Sequence, residues 1–378
     1  MGASKLIPAD IKAEQFDQIL LSGRPLIDLR APVEFTRGAF PASVSLPLMS
    51  DSERELVGTC YKQQGQEAAI ALGHQLVQGE TKQARIDAWT SQLDQHPTTV
   101  IYCFRGGLRS RITQQWLAES GYPVALVAGG YKALRQHCLM RTETLVKQLP
   151  ALVLSGRTGT GKTGVLAGFP RFVDLEKLAH HRGSSFGKHF DPQPSQIDFE
   201  SALTLALLKL AQAGNAAVAF EDESRLIGRC MMPECLQLKL KQSPILVLED
   251  RLESRVERIL NEYVIAAIAE REKRLNDPQL AFDHLAHGLY KSLYKIRKRL
   301  GGVNHTQAQK LLADALAIQA ENGEFEAHRA WIQFLLEHYY DPMYDYQLSL
   351  KSERVKIRGT SAQLTTWLAD NITTAASE

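Results

Sequence analysis

The sequence predicts an α/β protein: two successive regions built on parallel strands, then a helical C-terminal region. Two stretches, residues 98–110 and 151–163, each run from a β-rich segment through a Gly-rich turn into a helix-like segment. Apolar strand-like runs alternate with stretches of helical spacing up to about residue 275, an order that sets strands side by side in parallel. Beyond residue 276 the spacing is helical. At 378 residues the chain has the length of two or three domains.

Composition excludes several classes. With 44% apolar and 23% charged residues, the chain is an ordinary globular protein. Five cysteines, an odd number, argue against a disulfide scaffold and fit a reducing cytoplasm. The opening MGASKLIPAD carries no apolar leader segment, and no run reaches the roughly 18 apolar residues of a spanning helix. The expected location is cytoplasmic, with no membrane partner. A net charge of +2 leaves any nucleic-acid role to local basic patches.

Taken in order, residues 26–29 read as a short buried strand closed by a turn holding Asp28 and Arg30. These two either pair to hold neighbouring loops or form a surface pair worth little. Residues 53–78 show helical spacing in their second half and contain Cys60, a structural cysteine or a resolving thiol. The β-rich run 98–104 feeds a turn with Arg105, Gly106, Gly107 and Arg109, and a helix continues over 111–120. Cys103 stands where the strand ends. Loop N–H groups, two guanidinium groups and the positive end of a helix all favour its thiolate and form a cup for an oxyanion. Cys103 is therefore the candidate nucleophile, with a buried structural cysteine as the plainer reading. A strand over 124–127 and a turn at Gly129 and Gly130 follow.

Residues 131–149 look like a basic bridge to the second region, where an apolar strand, 151–154, leads into GRTGTGKT. In that pattern Gly156, Thr158, Gly159, Thr160 and Gly161 turn backbone N–H groups toward a phosphate chain, Lys162 adds a cation, and Thr163 can hold a magnesium ion. Phe172 and Val173 form a strand ending at Asp174, and residues 180–196 are too rich in Gly, Ser and Pro for regular structure. The adjacent His180 and His181 fit solvated or phosphate-contacting side chains better than a metal pair. After a helix over 202–211, the strand 216–220 ends in Glu221, Asp222 and Glu223. Asp222 is the leading magnesium-organising acid, with Asp174 and Asp250 as rivals. Past the strand 245–248, Arg251, Arg255 and Arg258 share one helix face, either solvated or turned to phosphate or RNA. Residues 283–300 have one apolar side and a basic patch of Lys291, Lys295, Arg297, Lys298 and Arg299 suited to RNA phosphates. Two more helices, 308–320 and 327–338, lead to Tyr339, Tyr340, Tyr344 and Tyr346, which pack on a helix or stack on bases.

Three blocks, DLRAPVEFTRGAFPA, CFRGGLRS and VAGGYKAL, resemble those of a rhodanese domain across roughly residues 10–140. The resemblance implies that the loop cysteine handles a chalcogen atom. Here five residues separate Cys103 from Arg109, the spacing seen in cysteine phosphatases and their rhodanese relatives; it suits selenophosphate or thiophosphate and keeps a phosphatase reading open. Together with GRTGTGKT and the strand end FEDESR, the domain order resembles the bacterial tRNA 2-selenouridine synthase family over nearly the whole chain.

That resemblance implies a rhodanese-like domain at 1–140 and a P-loop NTPase-like α/β domain at 141–275. A helical, basic C-terminal region at 276–378 would pack on the latter. It implies a transferase acting on the tRNA anticodon region that carries 2-thiouridine, with a selenophosphate-supplying enzyme as a further partner. Co-substrates would be selenophosphate and geranyl diphosphate, with Mg2+ at the P-loop and no tightly bound cofactor. Cys103 would carry selenium covalently or position selenophosphate, aided by Arg105, Gly106, Gly107 and Arg109, while residues 156–163 receive geranyl diphosphate to make an S-geranyl intermediate. Arg251, Arg255 and the patch at 291–299 would meet tRNA. An ATP-dependent tRNA sulfurtransferase or kinase-type enzyme, and a non-catalytic RNA-binding protein, are the alternatives.

Overall fold

A computed structural model describes residues 7–372. The chain folds as two compact units, one running to Leu145 and taking in Ser195–Gln212, the other made of Val146–Pro194 and the chain from Ala213 onward. Gln196–Gln212, a helix of the expected second region, therefore belongs with the first unit.

The first unit is built on a three-stranded parallel sheet of β1 (Leu26–Asp28), β2 (Ser43–Ser45) and β3 (Val100–Tyr102), with β1 in the middle. β1 and β3 are buried throughout, as strands covered on both faces must be. The run at 124–127 is no strand of its own. It meets the sheet through the single bridge of Leu126 to Ile101, and Val127 bridges Ile11 outside the sheet. Helix Gly79–Gln95 precedes β3, and helices Leu108–Glu119 and Gly130–Gln148 follow it; Trp89, Leu117 and Leu126 are fully buried in the core.

At the carboxyl end of β1, Arg30 donates to both carboxylate oxygens of Asp28, at 3.0 and 2.6 Å, and to the Gly38 carbonyl at 2.9 Å. Its guanidinium lies 3.8 Å from the centroid of the Tyr131 ring. Both partners are buried, so this pair is an internal clamp rather than a surface pair.

The helix Asp51–Leu76 is two arms joined at Gly65, whose φ of 87° and ψ of −174° break the helical path. A methyl group placed on Gly73 would lie 3.9 Å from Val57 Cγ2. In an unbroken helix those two positions would be about 24 Å apart; the arms therefore fold back on one another.

The second unit carries a five-stranded, wholly parallel sheet in the order β10-β9-β4-β6-β5. Its strands are β4 (Ala151–Gly156), β5 (Phe172–Val173), β6 (Val218–Glu221), β9 (Ile245–Leu248) and β10 (Val355–Gly359). A small antiparallel hairpin, β7 (Leu226–Ile227) with β8 (Cys230–Met231), lies apart from it. The edge strand β10 comes from the region whose spacing reads as helical. Helices Pro278–Leu300, Gly302–Asn322 and His328–Leu335 of the C-terminal chain pack around a core that includes Leu285, Leu293, Leu312 and Trp331. Tyr339 and Tyr340 are buried in this core, while Tyr346 is 66% exposed; packing is the role of the first two. Among the described residues no helix is long and apolar enough to cross a membrane.

Candidate active site

Cys103 follows β3 directly and is buried at 3% exposure. The turn after it lies against the turn before helix Gly130–Gln148: Tyr131 N–H donates to the Cys103 carbonyl at 2.8 Å and Lys132 N–H to the Phe104 carbonyl at 3.0 Å. A side chain at Gly130 would come within 2.3 Å of the Cys103 carbonyl, and one at Gly106 within 2.9 Å of the Gly129 nitrogen. Both glycines have positive φ, so the contact needs glycine on each side. These bonds engage the loop carbonyls. The N–H groups of Phe104, Arg105, Gly106 and Gly107 donate to no protein acceptor among the described residues, the arrangement an oxyanion cup requires.

Arg109 stands at the far side of this loop and donates to Glu34 Oε2 at 2.8 Å. Burial alone would raise the Glu34 carboxyl, but the bond and charge of Arg109 outweigh it and hold the group below its usual range. Arg105 is exposed. Glu34 had no sequence signal beyond its place in the first block; 75 residues separate it from Arg109, and only the fold joins them. Cys60 is buried in the helical arm and no disulfide joins it to Cys103. Beside Cys103 opens a cleft of about 930 Å³.

The second unit places GRTGTGKT between β4 and the helix Lys162–Ala167. Gly159 and Gly161 take φ of 80° and 79°, which turns successive amides the same way. Lys162 Nζ reaches back to the Gly156 carbonyl at 3.2 Å. Burial would lower the Lys162 pKa, yet Tyr344, Glu223, Glu176 and Glu221 raise it above the ordinary value, so the ammonium is held charged. Thr163 Oγ1 donates to Glu221 Oε1 at 2.7 Å. A cavity of about 1,330 Å³ opens here, lined by the loop, Asp174, Glu176, Glu221 and Glu223.

Asp222 does not take the place expected of it. Lys351 Nζ binds both of its carboxylate oxygens, at 2.7 and 2.5 Å, and Ser155 Oγ donates to it at 2.6 Å. The acid that faces Thr163 is its neighbour Glu221, because β6 ends with that side chain on the loop side. Asp174 lines the cavity, and it caps the short helix Leu175–Leu178 by accepting from Lys177 N–H at 2.7 Å. Asp250 pairs with Arg258 at 3.0 Å. The carboxyls crowd one another: burial, then Glu223 and Glu221, push Glu176 above its usual range, and burial pushes Glu223 up despite Lys162.

Arg255 does not face RNA. It is 1% exposed, donates from Nε to the Thr158 carbonyl at 2.9 Å and grips Asp341 with both terminal nitrogens, at 2.9 and 2.5 Å. Its partner lies 86 residues onward, out of reach of any local pattern. Arg258 donates to the Gly159 carbonyl, and Arg157 binds Asp345 at 2.6 Å, so basic and acidic groups from three segments brace the phosphate loop. Arg251 lines the cavity. His180 and His181 lie at the same cavity; His180 stacks on His189, and burial, with Lys295 and Arg182 adding to it, lowers His181 to about 4. Lys291, Lys295, Lys298 and Arg299 are exposed on helix Pro278–Leu300, and Arg297 covers the Tyr294 ring at 3.7 Å.

A family profile for a rhodanese-like domain matches residues 12–137, and one for the AAA domain of tRNA 2-selenouridine synthases matches residues 149–375. The relative named tRNA 2-selenouridine synthase in Shewanella oneidensis is 51% identical over 362 residues, covering 96% of each chain. That of Shewanella frigidimarina is 50% identical, covering 95% of this chain and 98% of its own, and that of Shewanella loihica 48% identical, covering 96% and 97%. A cysteine among unengaged loop amides and a phosphate loop with its acids, each within its matched segment and both inside an alignment that spans almost the whole chain, place this protein in the tRNA 2-selenouridine synthase family.

Proposed function

We propose that this chain converts 2-thiouridine at the wobble position of tRNA into 2-selenouridine in two steps. At residues 156–163 the thione sulfur attacks the allylic carbon of geranyl diphosphate; a C–S bond forms, diphosphate leaves with the electron pair, and the base gives up a proton. At the Cys103 loop, selenium from selenophosphate then bonds to C2 of the S-geranyl base. The C2–S bond breaks toward sulfur, which leaves as geranylthiol after taking a proton, and water cleaves the P–Se bond to give phosphate and 2-selenouridine. The observation that supports this reading is the presence in one chain of a buried cysteine among unengaged loop amides and a phosphate loop with a charged, half-buried lysine.

In the first step Lys162 and the loop amides meet the developing charge on diphosphate. Thr163 Oγ1 and Glu221 are hard oxygen donors that suit Mg2+; among the described residues no group of three Asp, Glu, His or Cys forms a complete metal site, so phosphate oxygens and water would fill the shell. Bound there, Mg2+ would neutralise leaving-group charge. In the second step Cys103 lies beside bound selenophosphate, with Arg105 and Arg109 facing the phosphate. Lys291, Lys295, Lys298 and Arg299 supply an exposed basic surface for the tRNA backbone, and Arg251 lies at the phosphate cavity.

The test is mass spectrometry of nucleosides from 2-thiouridine tRNA incubated with the protein and selenophosphate, with and without geranyl diphosphate. Selenation only with the prenyl donor is the expected result. Selenation without it removes the geranyl step, and no modification in either arm removes the reading. Because Thr163 and Glu221 also suit a magnesium-bound nucleotide, tRNA-stimulated ATP hydrolysis would instead indicate the kinase-type alternative.

A further inference from the structure

The cleft beside Cys103 is larger and more apolar than a chalcogen-carrying loop requires. Its volume of about 930 Å³ lies within the roughly 300–1,000 Å³ of sites that enclose small ligands. One tetrahedral anion at the loop needs only the unengaged amides and the guanidinium groups of Arg105 and Arg109, which are part of the lining. The rest of the lining mixes apolar side chains, among them Val57, Ile70, Val77 and Trp116, which offer an anion nothing, with the polar Arg54, Lys62 and His74. Leu108 and Phe104, 49% and 37% exposed, also line this cleft. Exposed apolar side chains beside a polar loop mark a surface meant to be covered.

The space exists because the helix Asp51–Leu76 folds back at Gly65. Both arms contribute to the wall, Val57 from one and Ile70 from the other, with the small Gly58, Ala69 and Gly73 between them. A side chain at Gly58 would meet nothing within 4 Å, so the cleft is open there and not filled by a neighbour.

We infer that this cleft seats an apolar chain carried on the substrate base: the geranyl group of S-geranyl-2-thiouridine, held while selenium replaces sulfur at C2. The inference rests on the two-step reading and assigns the second step its specificity. Seating the chain fixes the base over the Cys103 loop and aligns the C2–S bond for departure. The chain stays in the cleft as sulfur takes the bonding pair and a proton, and leaves as geranylthiol. A base without the chain gains no such placement, so unprenylated 2-thiouridine is passed over at this site.

The test presents the full chain with selenophosphate and tRNA bearing chemically prepared S-dimethylallyl, S-geranyl or S-farnesyl 2-thiouridine. Ile70→Trp and Val57→Trp fill the cleft; each is expected to lower kcat/KM for the geranyl substrate by about 10- to 100-fold while leaving the dimethylallyl substrate within about 2-fold. Ile70→Ala enlarges it and is expected to raise relative turnover of the farnesyl substrate. Misfolding would depress every chain length alike, so a shift in preference isolates the cleft. Unchanged preference in all three variants overturns the inference while the two-step reading stands. A wild-type protein that selenates 2-thiouridine directly but none of the S-prenyl substrates overturns both.

Discussion

Thr163 Oγ1 donates to Glu221 Oε1 across 2.7 Å, tying the first turn of the helix after the phosphate loop to the last residue of β6. The parallel register that pairs Leu154 with Glu221 sets this bond, and it gives two adjacent acids different duties. Glu221→Gln keeps a hydrogen-bonding partner for Thr163 but removes the charge; it is expected to slow S-geranylation by about 100-fold. Asp222→Asn instead leaves the Lys351 ammonium without its carboxylate. That change is expected to cost about 1–3 kcal/mol of stability with geranylation per folded molecule little altered. Nucleoside mass spectrometry and urea titration on both variants separate the two, and a reversal of the outcomes would return the role to Asp222.

On the proposed two-step reading, Cys103 and Lys162 serve different steps. Cys103→Ala is expected to halt selenation and let S-geranyl-2-thiouridine accumulate, because the phosphate loop is untouched. Lys162→Ala is expected to slow geranylation by about 10²–10³-fold while chemically supplied S-geranyl tRNA is still selenated. Full selenation by Cys103→Ala would remove the cysteine from the reaction.

The arginines of the second unit should divide by burial. Arg255→Lys loses the two-pronged grip on Asp341 and the bond to the Thr158 carbonyl, and should destabilise by about 3–5 kcal/mol, read by thermal and urea unfolding. Lys298→Ala and Arg299→Ala should leave the unfolding transition in place. Each should weaken tRNA binding and reduce the slope of log affinity against log salt by about 1, measured by filter binding across a salt series.

Buried His328 accepts from Trp331 Nε1–H on Nδ1 at 2.9 Å and lies 2.9 Å from Gln319 Oε1 on Nε2. Both ring nitrogens are used by the neutral form, and burial lowers its pKa from 6.5 to about 4. The unfolded chain therefore binds a proton that the folded chain does not as pH falls from about 6.5 to 4, and stability from this group is lost through that window. His328→Asn is expected to be less stable than wild type at pH 7, with the deficit shrinking toward pH 4. A deficit independent of pH in urea titrations would show that His328 does not carry the effect.

Much of the site was legible because it is local. Cys103 at a strand end, the glycines that follow and GRTGTGKT each lie within one strand–loop–helix passage, where spacing along the chain fixes geometry. Asp28 and Arg30 were legible as neighbours, but not as a buried clamp, since burial depends on Gly38 and Tyr131 closing over them.

The sequence by itself determined two α/β regions, a cysteine at the head of a Gly-rich loop and a phosphate loop with acids at a neighbouring strand end. Tertiary structure alone decided that Glu221 and not Asp222 meets Thr163, since strand register chooses which of two adjacent side chains faces the loop. It also turned Arg255 inward to Asp341, brought Val355–Gly359 to the sheet edge, and folded the helix Asp51–Leu76 back at Gly65 to open an apolar cleft beside Cys103. Each of these depends on contacts between residues far apart in the chain. Local periodicity reports the face a segment can bury; the partner that covers it is chosen only when the chain closes on itself.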